Sequence, residues 1–108
     1  MDLTAQQVEI LERLQRRDFQ IVAFPMYASH VGVRKGNCAA LLSPVASGGF
    51  MLFGSPSHLI EGNFSVRVIS GGRDWLVWKK TKIEVTPARL SEIDAFAAEL
   101  SEALLPNL

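Results

Sequence analysis

The stretch Asn63–Val85, NFSVRVISGGRDWLVWKKTKIEV, decides the fold, because it predicts two β-strands joined by a tight turn. In its first half Phe64, Val66 and Val68 alternate with polar residues, which is the two-residue period of a strand with one buried face. Gly71-Gly72 can adopt the positive φ angles that a two-residue type I′ turn requires. The sequence therefore predicts a β-hairpin in this stretch.

The length of the turn determines which residues of the hairpin lie opposite each other. A two-residue turn places Val68 opposite Trp75 and Val66 opposite Val77. A four-residue turn changes the pairs but keeps the same side chains on the same face. A three-residue turn exchanges the faces, because a shift of one residue moves every side chain to the other side of the sheet. We therefore favour a turn of even length.

The two faces of the second predicted strand differ in character. Its odd positions carry most of the apolar side chains and are predicted to face the core: Trp75, Val77, Ile83 and Val85. Its even positions begin with two apolar residues and continue with cations: Leu76, Trp78, Lys80 and Lys82. Two terminal helices are too few to cover both faces of a broad sheet, so we expect Leu76 and Trp78 to form part of an exposed apolar patch.

Composition indicates a single globular domain spanning residues 1–108, with 48% hydrophobic residues. Cys38 is the single cysteine, so an internal disulfide is excluded, which fits a reducing compartment. The N-terminal segment MDLTAQQVEILERLQ lacks the features of a signal peptide, and no apolar run is long enough to span a membrane. We expect a soluble, cytoplasmic protein similar in size to many short bacterial proteins.

Charge is balanced over the chain, with 11 basic and 11 acidic residues, but it is unevenly distributed. The central segment 19–86 is mildly basic, and the segment that follows it is acidic. This balance does not match the strongly basic surface of a dedicated nucleic-acid-binding protein. Nucleic acid is therefore not an expected partner, and neither is a membrane.

Helix signals occur at both ends of the chain. Residues 4–17 have an amphipathic pattern, and Thr4 with Gln7 forms a capping box at their start. The predicted buried stripe of this helix consists of Val8, Leu11 and Leu14, with Ile10 beside it. Thr86-Pro87 is a strong start signal for a second helix.

Strands are predicted between the two helices. The segment beginning at Cys38, CAALLSPVA, is apolar on both faces and is therefore predicted to lie near the centre of a sheet. Residues 54–62, GSPSHLIEG, show neither strand nor helix periodicity and are predicted to form a loop. The sequence predicts an α+β fold: an N-terminal helix, a curled antiparallel meander of about five or six strands, and a C-terminal helix packed on the sheet.

Residue types that bind metal ions or catalyse reactions are few. If the turn at residues 35–38 has an even length, Cys38 lies on one face of the sheet and His30 on the other, so this pair cannot chelate one ion. Ser57 and His58 offer a hydroxyl and a base, but adjacency in sequence is not the geometry of a catalytic triad. We therefore expect neither a metal nor a cofactor, and an enzyme of the hydrolase type is a distant third hypothesis.

Protein–protein binding is the leading functional hypothesis, with the chain itself as one possible partner in a homodimer. It depends on the predicted exposure of Leu76 and Trp78. The alternative is a site for a small ligand or single-stranded nucleic acid between the 54–63 segment and the basic hairpin. The residues predicted to line that site are His58, Arg67, Trp78, Lys80 and Lys82.

Overall fold

Two helices flank eight β-strands in the computed structural model, which describes residues 3–104. A short 3-10 helix, Pro25–Tyr27, lies between the first two strands. The elements are α1 Ala5–Arg16, β1 Gln20–Val22, β2 Val31–Lys35, β3 Cys38–Pro44, β4 Phe50–Ile60, β5 Asn63–Phe64, β6 Val66–Ser70, β7 Arg73–Trp78, β8 Thr81–Glu84 and α2 Pro87–Leu104.

All strand pairs within residues 3–104 are antiparallel, and they form two sheets. The larger sheet has five strands in the order β1-β2-β3-β4-β5, and the smaller one has three in the order β6-β7-β8. The predicted α+β class, the terminal helices and the central position of β3 are confirmed. The second, separate sheet was not predicted.

The N-terminal helix begins with the predicted capping box. The backbone N–H of Gln7 donates to Thr4 Oγ1 at 3.1 Å, and the Thr4 N–H donates to Gln7 Oε1 at 2.9 Å. The predicted buried stripe is wrong in part, because Val8 is 42% exposed. The buried residues of α1 are instead Gln7, Ile10 and Leu14.

The polar residue Gln7 can occupy this buried face because all polar atoms of its side-chain amide form hydrogen bonds. The Gln7 side chain donates to the carbonyl oxygens of Val45 at 2.9 Å and Gly49 at 3.0 Å, in the turn between β3 and β4. A buried amide without such partners would cost about 1–3 kcal/mol. Gln7 therefore fixes α1 to the sheet as well as capping the helix.

The C-terminal helix starts where the sequence predicts. Pro87 is its first residue, and Thr86 Oγ1 accepts a hydrogen bond from the backbone N–H of Arg89 at 3.3 Å. The buried positions of α2 recur with the helical period: Ile93, Phe96, Leu100 and Ala103. These side chains pack in the main core together with Leu14 of α1 and Val33 and Leu42 of the sheet.

The fourth strand corrects the prediction of a loop at residues 54–62. β4 continues from Phe50 to Ile60, but its register against β3 shifts between the pairs Ala39–Ser57 and Leu41–Phe53. Three residues of β4 therefore lie opposite Ala40 alone. This β-bulge contains Gly54, at a φ of 71°, and a proline. Because glycine and proline usually end strands, the sequence of the bulge predicts a loop where the strand continues.

The predicted pairing of the hairpin is confirmed. Val68 lies opposite Trp75 and Val66 opposite Val77, with Gly71-Gly72 as the two-residue turn. The prediction of which face is buried is wrong, because Leu76 is 0% exposed. Val66 and Val68 are instead 51% and 40% exposed.

A second turn explains why the faces are reversed. The sequence from Arg73 to Val85 was predicted as one strand, but the chain turns at Lys79-Lys80, where Lys79 has a φ of 53°. Ile83 therefore pairs with Leu76 and adds to its face, and both pack in the main core. With Trp78 and Val85 also packed there, the side that includes Leu76 becomes the buried one.

None of the helices within residues 3–104 has the length and apolar character needed to cross a membrane.

Close approach of the chain to Gly32 limits what this position can hold. Gly32 pairs with Val22 across β1 and β2, and the Phe24 ring lies against it. A Cβ atom at this position would lie 2.6 Å from the ring and 2.6 Å from the Val22 carbonyl oxygen. The carbonyl belongs to the backbone of a paired strand, so it cannot move aside without disturbing the sheet.

Gly32→Ala is therefore expected to lower the free energy of unfolding by about 1–3 kcal/mol, the usual cost of overpacking. Chemical denaturation monitored by circular dichroism measures this change. Gly49→Ala is the matched control, because a Cβ at Gly49 meets nothing within 4 Å. Equal stability of the two variants would contradict the prediction.

Candidate functional site

Three side chains with metal-ligating atoms meet where α2 crosses the sheet. Cys38 on β3 and His58 on β4 are cross-strand partners, and Glu92 lies on α2. The ligand atoms of these three residues all lie within 4.8 Å of one another. Two come from neighbouring strands and the third from a packed helix, so all three are carried by regular secondary structure.

The imidazole of His58 is buried without a hydrogen bond at one nitrogen. His58 is 4% exposed, and its Nε2 atom has no hydrogen-bond partner among residues 3–104. The nearest carboxylate oxygen is Glu92 Oε2, at 3.6 Å. Burial lowers the pKa of His58, and the nearby cation Arg89 also lowers it, while Glu92 acts in the opposite direction. Buried polar atoms without partners are rare in native structures, so this atom needs an explanation.

The thiol of Cys38 is buried and hydrogen-bonded to the backbone of α2. Cys38 is 3% exposed, and its thiol donates to the backbone carbonyl oxygen of Glu92 with an S···O distance of 3.7 Å. Burial, with a smaller effect from the Glu92 carboxylate, raises the pKa of the thiol to about 11. A catalytic cysteine needs an accessible thiolate with a lowered pKa. The geometry therefore does not favour a Cys-His-Glu nucleophile here.

This cluster was missed at the level of sequence. The expectation of no metal site depends on the predicted positions of Cys38 and His30 on opposite faces of the sheet. The structure confirms these positions, since the centres of the His30 and Phe53 rings are 4.1 Å apart on the face opposite Cys38. The relevant partner is His58, which faces Cys38 only because β4 continues through the predicted loop. The register between β3 and β4 places Cys38 opposite His58, but the bulge prevents this register from being predicted from the sequence.

Ser57 and His58 lie on opposite faces of β4, because neighbouring residues in a strand point in opposite directions. Ser57 is 0% exposed, and its hydroxyl lies 2.5 Å from that of Ser65. Ser65 also donates to the carbonyl oxygen of His58 at 2.6 Å. The pair proposed for a hydrolase therefore does not converge, and Ser57 instead joins β4 to the connection between β5 and β6.

The six residues predicted as a binding surface do not form one surface. Leu76 lies in the core, and Trp78 is half-buried against that core beside the Pro25–Tyr27 turn. Lys80 lies in the exposed turn after β7. Lys82 pairs with Val77 on the face opposite Trp78, and its Nζ lies 4.3 Å from the centre of the Trp75 ring.

The remaining two predicted residues are both tied to other parts of the chain. His58 belongs to the buried cluster described above. Arg67 forms a bidentate ion pair with Asp74 on the neighbouring strand. This pairing lowers the pKa of Asp74 and raises that of Arg67.

An apolar surface does exist on the hairpin, but on the face opposite to the one predicted. We call it the outer sheet face, and it consists of Val66, Val68, Trp75 and Val77, bordered by Lys82 and Glu84. The valines on β6 are well exposed, and Trp75 and Val77 are half-buried. Opposite charges lie side by side at its border, where Arg73 contacts Glu84 at 3.4 Å.

A cavity of about 290 Å³ lies between the bulge of β4 and the start of β6. Its lining is mostly apolar and aromatic, with one guanidinium: Tyr27, Leu41, Phe53, Gly54, Ser55, Phe64, Ser65, Val66 and Arg67. Of the residues predicted to line a ligand site, Arg67 is present in this lining. The cavity is thus close to the predicted location but is formed by other side chains.

Comparison with known proteins gives no relative. The chain matches no protein-family model, no curated protein and no solved structure.

The ion pair between Arg67 and Asp74 gives stability a dependence on acid pH. The pKa of Asp74 is lower in the folded protein than in the unfolded chain, so its contribution is fully present above the unfolded value of about 4. That contribution is lost as the pH falls through the folded pKa. Asp74→Asn is therefore expected to lower the melting temperature at neutral pH and to have progressively less effect as the pH falls below about 4.

Melting curves of wild type and variant from neutral to acid pH measure this difference. Glu12→Gln removes the same charge from the exposed face of α1 and serves as the control. A difference between wild type and Asp74→Asn that stays constant at every pH would contradict the assignment.

Proposed function

We propose that the protein functions by protein–protein association through the outer sheet face, with a second copy of the chain as the partner. The observation that carries this proposal is the exposure of Val66 and Val68 beside Trp75, on a sheet whose opposite face packs in the core through Leu76 and Ile83. Apolar patches of this kind on a soluble domain mark interaction surfaces.

The composition of this face fits an interface core. One aromatic and three valines lie together on the adjacent strands β6 and β7, and the charged residues of β8 stand at the border. Interfaces have the same arrangement, with apolar and aromatic side chains in the centre and a polar rim around them. Lys82 Nζ lies 4.3 Å from the centre of the Trp75 ring, so a cation of the border contacts the aromatic residue of the patch.

Charge at the border supports a second copy as the occupant. In a twofold dimer the same patch meets itself, so a patch of one sign would repel its mate. Lys82 and Glu84 lie two residues apart on β8, and rotation about a twofold axis can place each near the opposite charge of the other copy. The outer sheet face therefore meets the electrostatic requirement of self-association.

Val68→Asp is expected to weaken dimerisation at least tenfold, which corresponds to about 1.4 kcal/mol, because it places a charge in the centre of the interface. Sedimentation velocity over a concentration series measures the monomer–dimer equilibrium. Ile69→Asp is the matched control, since Ile69 is the next residue, is 78% exposed and points to the other side of the hairpin.

A wild-type protein that sediments as a monomer at every concentration would exclude the second copy as partner. Dissociation caused by Ile69→Asp and not by Val68→Asp would exclude the outer sheet face. Circular dichroism spectra of both variants establish that the fold is intact.

The cavity beside Arg67 supports a second candidate function, the binding of a small, mostly apolar ligand. Its volume of about 290 Å³ is just below the usual range for ligand sites, about 300–1,000 Å³, and so suits a small molecule. Aromatic rings and one guanidinium in the lining would suit a compact aromatic molecule. Single-stranded nucleic acid is less suited, because Trp78 and Lys82 lie on opposite faces of the hairpin.

Binding of the fluorescent aromatic anion anilinonaphthalene sulfonate tests this second candidate. Ser55→Phe is expected to reduce binding at least tenfold, because Ser55 lines the cavity and is exposed, so a larger side chain fills the space without disturbing the core. Ser47→Phe, in the exposed turn before β4, is the control. Equal binding by both variants would show that the dye binds elsewhere.

A reducing compartment, the cytoplasm, is part of the proposal, since the one cysteine is a buried free thiol. Association through the outer sheet face does not depend on the compartment.

A further inference from the structure

We infer that Cys38, His58 and Glu92 form a binding site for a divalent transition metal ion, with Zn²⁺ as the best-suited ion. The site is separate from the outer sheet face, and neither proposal depends on the other. It combines one thiol, one imidazole and one carboxylate, which are the three side-chain groups that zinc uses in proteins.

The spacing of the donor atoms suits a single ion. Zinc bonds of about 2.0–2.3 Å in a tetrahedral arrangement separate the donor atoms by about 3.3–3.8 Å. His58 Nε2 and Glu92 Oε2 are 3.6 Å apart, which already lies in this range. The other donor pairs lie within 4.8 Å, so a rotation of exposed Glu92 and a small movement of the thiol would complete the set.

The unpartnered nitrogen of His58 points independently to a ligand. Nε2 lies in a residue that is 4% exposed and makes no hydrogen bond with residues 3–104. A buried imidazole nitrogen loses its hydration on folding, and that loss destabilises the folded protein when no partner replaces the water. A metal ion coordinated by Nε2 would take the place of the missing hydrogen-bond partner.

The charges of the three ligands balance those of the ion. On metal binding Cys38 releases its proton, so that the thiolate and the Glu92 carboxylate together neutralise Zn²⁺. The neighbouring cation Arg89 lies one turn before Glu92 on α2, and its guanidinium donates to the carbonyl oxygen of Glu84 at 2.9 Å. Arg89 is therefore engaged with the end of β8.

The three residues leave one coordination position for water or another small ligand. This position lies on the side of Glu92, whose side chain is 61% exposed, while Cys38 and His58 close the other side. The bound ion would link β3, β4 and α2, each of which contributes side chains to the main core. Metal binding is therefore expected to stabilise the folded protein.

Titration of the chelator-treated, reduced full-length protein with zinc and with cobalt tests the inference. We expect one equivalent of Zn²⁺ to bind, with a rise in melting temperature. Co²⁺ is expected to produce the near-ultraviolet thiolate-to-metal absorption band that identifies a cysteine ligand. Cys38→Ala should abolish the band, and Glu92→Gln should weaken zinc binding by about tenfold or more.

Asp94→Asn is the matched control, because it removes one carboxylate from the exposed surface of the same helix. Glu92 is itself exposed, so Glu92→Gln is expected to fold normally and gives a readout even if Cys38→Ala proves unstable. Absence of the cobalt band in the wild-type protein would overturn the inference. Zinc binding with unchanged affinity in both Cys38→Ala and Glu92→Gln would also overturn it.

Discussion

The buried contact between Ser57 and Ser65 is the constraint on which the arrangement of the two sheets depends. Ser65 is the residue at which the chain leaves the larger sheet and enters the smaller one, and it is 0% exposed. Its hydroxyl lies 2.5 Å from that of Ser57 and donates to the carbonyl oxygen of His58 at 2.6 Å. These hydrogen bonds compensate for burying polar groups at the point where strand pairing stops. They also tie the point at which the hairpin leaves the larger sheet to β4.

Local signals in the sequence were sufficient to predict the helix starts and the register of the hairpin. The capping box at Thr4 and the Thr86-Pro87 start depend on interactions within one turn of helix, and the Gly71-Gly72 turn fixes the register of the two strands beside it. Such features carry their own geometry and need no knowledge of the rest of the chain. The central position of β3 was also predictable, because only a strand covered on both sides is apolar on both faces.

The orientation of the hairpin was not predictable, because it depends on turns that break the pattern. Alternation of apolar residues predicts one unbroken strand, but the turn at Lys79-Lys80 places Ile83 on the side of Leu76. Lysine is a poor signal for a turn, since a positive φ angle is uncommon for it. The bulge at Gly54 had the opposite effect and made a real strand look like a loop. The candidate metal site could not be predicted because the bulge obscures the register of β4. The outer sheet face could not be predicted because the turn at Lys79-Lys80 interrupts the strand.

The positions of the two tryptophans give the molecule two separate optical reporters. Trp75 lies on the outer sheet face, with Lys82 over its ring. Trp78 lies against the main core, and Lys79 Nζ is 4.7 Å from the centre of its ring. They are three residues apart in the chain but on opposite sides of one sheet. Emission from Trp75 therefore reports what contacts the surface, whereas emission from Trp78 reports whether the interior is intact. Proteins that each keep one of the two rings would allow surface association and loss of folding to be followed separately by intrinsic fluorescence.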